Sequence, residues 1–442
     1  MAEEVVLTYD LDENMLPRGA KNRKIITRLC LYAHDDFVKA HPVTNCDVIL
    51  VIDTSGSMDE PFSDGSPITK RQGVLDAAKS MIGSVKPDDT LSLICYDSNA
   101  YLELDHVPGN NRQKIEAALM KILEHNGGTN FEKAFRTVLP VAEKGKNASR
   151  KVVFLTDGNN MEGNLINAHS LNHKLANDGI TVDCLGVGND FDFAEMQKFS
   201  VVSNGRTDLL DVPQAAGNIF GNILREAQTS LIQNAVIRLA FPAGTRDVEL
   251  YALTPEIRYF SDFSPRQDGS GDYRINLQSL NQITNYFYLV SLAVDLPSSE
   301  SINNYALMNI RVDFDVSVKG LKNKNLQRDV IVNLTDGEDS TIKDGTVSSD
   351  FLEVTIEKLH QQCEEAGKKK DWKKVATYLQ QMKKKAEELR DEDKKEEYQR
   401  RLNLLVQNGT LSQADLNILA KTSTKSIRHN AGQREANNEN EY

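Results

Sequence analysis

Apolar residues follow two alternating rhythms over the first half of the chain. Val48–Ile52 is an unbroken apolar run, and it stops abruptly at Asp53-Thr54-Ser55-Gly56-Ser57. A run of this length without polar alternation predicts a strand buried on both faces. Val152–Leu155 repeats the pattern and stops at Thr156-Asp157-Gly158. Thr90–Tyr96, Thr181–Val187 and Thr207–Val212 predict further strands, with Ala100–Val107 as a hairpin partner at the edge. Between them the apolar spacing lengthens to a helical period. A helix opening at Ser66-Pro67 and running to Val85 turns Val74, Ala77, Ala78, Met81, Ile82 and Val85 inward. Helices also follow over 111–125, 131–144, 165–177, 192–199 and 213–230. Strand and helix in alternation predict an α/β fold with a doubly wound, mostly parallel sheet, because right-handed crossovers put helices on both faces.

Outside that region the rhythm changes. Glu4–Tyr9 and Lys24–Tyr32 read as strands, the second carrying Ile25, Thr27, Leu29 and Leu31 on one side. Two strands cannot bury a face alone, so they must join something later. After Leu231, strand-like segments at 235–241, 248–252, 257–260, 273–277, 285–296, 305–318 and 327–333 are separated by Pro, Gly and Asn turns and predict a β-sandwich. Over 351–406 the pattern is helical and charged. One stripe is Leu352, Ile356, Leu359 and Cys363, and another is Val375, Leu379, Met382, Ala386 and Leu389, with Gly367 expected to break them into a hairpin. Tyr398, Leu402 and Leu405 belong to a third helix, and 411–422 adds a short fourth. The expected organisation is N-terminal strands (1–41) that pair with the later sandwich, an α/β domain (42–230), the sandwich (231–345), a helical domain (346–422) and a disordered polar tail (423–442).

The chemistry gathers where the first run stops. Asp53, Ser55 and Ser57 offer a carboxylate and two hydroxyls at alternate positions, at the strand end where open α/β sheets bind ligands. Oxygen donors of this kind suit a hard cation such as magnesium, which takes six oxygens at about 2.1 Å. The turn Asn126-Gly127-Gly128-Thr129-Asn130 presents Thr129, and the later strand delivers Asp157. Together, in this order, these motifs resemble the metal-ion-dependent adhesion site of the von Willebrand factor A domain family, over roughly Cys46–Ser230. The resemblance implies a metal held by Asp53, Ser55, Ser57, Thr129 and Asp157. In the family the serines coordinate directly, and the threonine and aspartates directly or through water. It implies Mg2+ as the cofactor, with Mn2+ or Ca2+ as alternatives, and a partner protein whose Glu or Asp carboxylate completes the coordination. In several members the A domain is inserted into a β-sandwich, which suits the orphan strands before His41. Asp59, Glu60, Asp64 and Glu162 form an acidic rim that would repel an anionic partner or recruit a second cation, and Met58, Phe62 and Met161 are candidates for apolar contact.

Composition narrows the function. A net charge of −12 over 442 residues disfavours nucleic acid or an anionic membrane as partner of the whole chain. The lysine-rich run Lys368–Lys385 reads as a solvated helix face, with docking to an acidic partner or peripheral membrane contact as the other option. The first residues lack the basic and apolar regions of a signal peptide, and no apolar stretch reaches the roughly 18 residues of a membrane span. Five scattered cysteines read as buried apolar residues of a reducing compartment, so a cytoplasmic location is expected. His169 and His173 stand four apart but lack the glutamate of a zinc-protease helix, and no phosphate loop or nucleophile elbow is present. The expected function is non-enzymatic, metal-dependent capture of a partner protein. The alternative is a structural scaffold in which the metal only stabilises the fold and binding runs through the C-terminal helices.

Overall fold

The computed structural model of the chain describes residues 4–41, 44–62, 66–188, 191–210, 213–254, 256–261, 263–265, 271–282, 284–336 and 344–424. The expected disordered tail therefore lies outside the described residues, apart from Ser423 and Thr424, and so does Asp64 of the acidic rim. The chain opens with β1 (Val5–Leu11), β2 (Met15–Pro17), β3 (Arg23–Ala33) and a short helix α1 (Asp35–Ala40). Ile25, Thr27, Leu29 and Leu31 are fully buried, as alternation along β3 predicts.

The α/β core follows: β4 (Cys46–Asp53), α2 (Lys70–Ile82), β5 (Thr90–Tyr96), β6 (Ala100–Pro108), α3 (Arg112–Leu119), α4 (Phe131–Lys144), β7 (Ser149–Thr156), α5 (Leu165–Asn177), β8 (Thr181–Val187), α6 (Phe193–Val202), β9 (Thr207–Leu210) and α7 (Pro213–Gln228). Its six strands lie in the order β6-β5-β4-β7-β8-β9, all parallel except the edge strand β6. The unbroken apolar runs have a simple cause. Val48, Leu50 and Ile52 enter one core with α2 and α7, while Ile49 and Val51 enter another with α4, so β4 has no solvent face. Phe154 anchors the second core by stacking on Tyr96, Phe135 and Phe199 and meeting Phe131 edge-on. Several helix boundaries differ from expectation: α6 runs on to Val202, and α7 ends at Gln228, so that Ser230 opens β10. Thr69, not Ser66, caps α2, which starts at Lys70 and ends before Val85. The segment 111–125 turns from α-helix to a 3₁₀ turn at Met120, which leaves Leu123 exposed.

Seven strands come next: β10 (Ser230–Ala240), β11 (Arg246–Ala252), β12 (Arg258–Tyr259), β13 (Tyr273–Asn281), β14 (Tyr286–Val294), β15 (Asn304–Val316) and β16 (Leu321–Thr335). They form two five-stranded sheets, β1-β3-β14-β11-β12 and β13-β10-β15-β16-β2, whose buried side chains share one apolar core. The early strands complete both sheets: β3 pairs antiparallel with β14 and β2 pairs parallel with β16.

The chain ends in α8 (Gly345–Lys368), α9 (Trp372–Leu389), α10 (Glu392–Asn408) and α11 (Gln413–Ser423). Gly367 lies inside α8. The break falls at Lys370, whose φ of +56° ends the helix, and Asp371, which caps α9. Among the described residues no helix is long and apolar enough to cross a membrane. All five cysteines are buried thiols.

Phe154 lies on β7, three positions before Asp157, and is fully buried. Phe154→Ala is expected to cost about 3–5 kcal/mol through lost burial and a residual cavity. Urea unfolding measures it, and a loss below about 1 kcal/mol would mean that the aromatic cluster does not anchor β7.

Candidate metal centre

β4 and β7 are neighbours at the point where the chain order reverses, with β5 on one side and β8 on the other. Such a switch point opens a crevice beyond the strand ends. Asp53 ends β4 and Asp157 follows β7, and both are buried, at 0 % and 1 % exposure. Ser55 follows at 3 % and Thr129 at 4 %, with Ser57 half-buried.

The structure joins three of the five expected ligands directly. Ser55 Oγ lies 3.2 Å from Ser57 Oγ, and Ser57 Oγ donates to Asp157 Oδ1 at 2.8 Å. Asp53 is held just behind them, because its Oδ1 accepts from Ser55 N and its Oδ2 from Thr156 Oγ1, each at 2.8 Å. Thr129 belongs to a loop knitted to the other two. Gly56 N donates to Gly127 O, and Met161 N and Glu162 N both donate to Thr129 O. Asn130 fixes the exit of that loop by capping α4 through Lys133 N. Gly128 passes close under two side chains of the neighbouring loops, a Cβ there standing 2.3 Å from Glu162 Oε1 and 3.0 Å from Ser98 Oγ.

Two cations missing from the sequence reading complete the cluster. Lys70 Nζ lies 2.9 Å from Asp157 Oδ2 and 2.9 Å from Glu60 Oε2. Burial opposes its charge, yet those two bonds outweigh it and hold the lysine above its ordinary value. Arg71 donates to the carbonyls of Thr54, Ser55 and His125 and pairs with Asp59 at 3.1 Å. A signal for them existed. Consecutive cations in the first turn oppose the helix dipole and call for acidic or carbonyl partners, but placing the helix start at Ser66 hid them mid-helix.

The rim also departs from expectation. Asp59 and Glu60 are paired with Arg71 and Lys70, which offsets their charge, while Glu162 accepts only from the neutral Ser98 Oγ at 2.8 Å and keeps its charge. Met58 and Phe62 are buried at 0 % and 1 %, and only Met161 is exposed. His169, one of the two spaced histidines, is bound to Glu195 and stacked on Phe199.

Residues 48–159 match the family model of the von Willebrand factor type A domain. The matched interval spans Asp53 through Asp157. The likeness to solved structures covers nearly the whole chain. A von Willebrand factor type A protein from Catenulispora acidiphila superposes with a TM-score of 0.78, at 16 % identity over 96 % of this chain and 97 % of that one. The ArnB paralog VWA2 from Sulfolobus acidocaldarius gives 0.56, at 13 % identity over 96 % and 98 %. An uncharacterized protein of Synechocystis sp. is 27 % identical over 235 residues, and the match spans 53 % of this chain and 53 % of that relative. The chain thus spans about half the length of the curated relative it matches.

The donor set fits a hard divalent cation. Burial, and then the charge of Asp157, push Asp53 up to about 7 against the bonds from Ser55 and Thr156. Lys70 offsets one of these two buried charges, a divalent ion would offset the other, and the side-chain ligands on offer are all oxygens. No group of three or more His, Cys, Asp or Glu suited to a metal occurs among the described residues, so the cation would rest on two carboxylates and hydroxyls.

Arg71→Met removes the donor that braces the carbonyls of the Asp53–Ser57 turn. A loss of about 1.5–3 kcal/mol is expected, the range for hydrogen bonds to a charged group. Denaturant unfolding checks it, and an unchanged midpoint would show that the turn holds without the arginine.

Proposed function

We propose that this chain is a non-enzymatic, metal-dependent protein-binding module. Its A domain would hold Mg2+, with Mn2+ or Ca2+ as substitutes, through Asp53, Ser55, Ser57, Thr129 and Asp157. The observation that carries the reading is the hydroxyl–carboxylate chain Ser55–Ser57–Asp157 at the mouth of the sheet, backed by buried Asp53.

A divalent ion held there supplies an electrophilic contact for a carboxylate of the partner. The chain's own residues set up that contact. Asp53 contributes negative charge from behind the serines, where Ser55 N and Thr156 keep its oxygens oriented. Ser55 and Ser57 offer neutral oxygens, which leave the ion more electrophilic than carboxylates would. The bonds from Gly56, Met161 and Glu162 fix the three loops, so little ordering remains at the moment of binding. Lys70 adds no proton-transfer group, because its ammonium is held by two carboxylates. The oxygens of Asp53 and Asp157 are taken up by bonds from Ser55, Thr156, Ser57 and Lys70, which supports binding rather than turnover. The partner is a protein offering a Glu or Asp, and a cytoplasmic site of action completes the proposal.

Ser55→Ala and Asp53→Ala are expected to abolish partner capture in magnesium-containing pull-downs while circular dichroism stays native, and EDTA should reproduce the loss with the unaltered protein. Equal capture with EDTA and with magnesium would sink the proposal.

A further inference from the structure

Lys70 is the group in the site that the adhesion reading does not use, and its placement is specific. Its side chain is almost fully buried, at 5 % exposure, and its ammonium bridges Asp157 and Glu60 at 2.9 Å each. The fold leaves a passage for the arm. Gly188, in the turn after β8 with φ +80°, lies so close that a Cβ there would stand 2.9 Å from Lys70 Cε. The two carboxylates differ in kind: Asp157 is fully buried and Glu60 is 58 % exposed.

We propose that Lys70 is a tethered counter-cation of the metal site, neutralising Asp157 while the divalent ion is absent and competing with that ion for the same carboxylate. The inference rests on the metal-site reading above. Asp157 offers Oδ1 to Ser57 and Oδ2 to Lys70, so the lysine already occupies half of an expected ligand. An ammonium and a divalent ion sharing one buried carboxylate repel each other strongly in a poorly screened site. Glu60 gives the ammonium a second seat at the same distance, so Lys70 can yield Asp157 without losing every partner. Three consequences follow from this geometry. The loops stay assembled without metal. Affinity for the ion lies below what the oxygens alone would give. And Glu60, although no ligand itself, tunes that affinity through the lysine.

Mn2+ binding followed by electron paramagnetic resonance and calorimetry, together with thermal unfolding of the metal-free protein, tests this. Lys70→Met is expected to bind Mn2+ about tenfold or more tightly, the scale on which a neighbouring cation alters a buried carboxylate's affinity for a proton. Its metal-free form should melt lower, and saturating Mn2+ should restore the midpoint. Glu60 is exposed, so Glu60→Gln keeps the fold. It should weaken Mn2+ binding more than Asp59→Asn, the same charge change on the neighbouring rim acid, and that excess should vanish in the Lys70→Met background. Equal or weaker Mn2+ binding by Lys70→Met, or an excess that persists without the lysine, overturns the inference and leaves the metal site standing. If neither the unaltered protein nor Lys70→Met binds Mn2+, both the site reading and this inference fall. Binding by Lys70→Met alone supports the competition in its strongest form.

Discussion

Two aspartates with almost no exposed surface end adjacent strands at one point of the sheet, and the surrounding structure is arranged to tolerate their charge. A buried carboxylate is costly unless it is bonded or balanced. Asp53 is bonded, by a backbone amide and by Thr156. Asp157 is balanced, by Lys70. The same constraint explains why the turn between them consists of hydroxyls and glycine. Larger or apolar side chains could neither satisfy the carboxylate oxygens nor let three loops approach so closely.

The opposite end of β7 carries a second ionic cluster, and the strand is held between the two. Lys151, near its start, pairs with Asp183 at 2.7 Å and reaches Glu226 at 3.5 Å, while Arg206 binds Glu226 and its backbone amide donates to Asp183. Arg206 and Glu226 line a small cavity with Ser230, Asn281 and Tyr286, so this cluster sits where the α/β core meets the neighbouring sheets. Breaking a buried pair of this kind leaves an unmatched charge, which makes the junction stiff. The register of β7, and with it the position of Asp157, is therefore pinned from below as well as by its flanking strands.

Much of this was legible from apolar spacing alone. Thr90–Tyr96, Phe131–Lys144, Leu165–Asn177 and Thr181–Val187 fall on their observed bounds, because the strands are continuous buried runs and the helices are amphipathic with one reading of their period. Asp53, Ser55, Ser57 and Asp157 fall at or just beyond strand ends for a related reason, since abrupt ends of apolar runs mark strand ends, whereas Thr129 comes from the loop before α4. What escaped was set by long-range partners. β16 runs from Leu321 although its first residues are exposed and polar, because it is held by backbone bonds to β15 rather than by burial. Met58 and Phe62 look like rim residues in sequence, yet Phe62 packs over Gly73 on α2, where a Cβ would stand 2.4 Å from its ring. Lys70 and Arg71 could be recognised only once the start of α2 was known. A cation pair at a helix start carries meaning that the same pair mid-helix does not.

The C-terminal helices bear on how far metal-dependent capture and scaffolding can be separated. They do not stand apart from the rest of the chain. Asp350 on α8 is fully buried and pairs with Arg28 of β3 at 3.0 Å, and Val347 and Val354 join Ile26, Tyr251 and Leu289 in a small core of their own. At the other end, Asn417 on α11 donates to Phe191 O and Lys421 to Leu209 O, both in the α/β core, while Ile257 N donates to Thr424 O. The lysine-rich stretch faces outward, with Lys368, Lys369, Lys373, Lys374 and Lys384 exposed and Val375, Leu379 and Met382 turned inward. The helices thus fasten the sheets to the α/β core through buried pairs and hydrogen bonds at both ends.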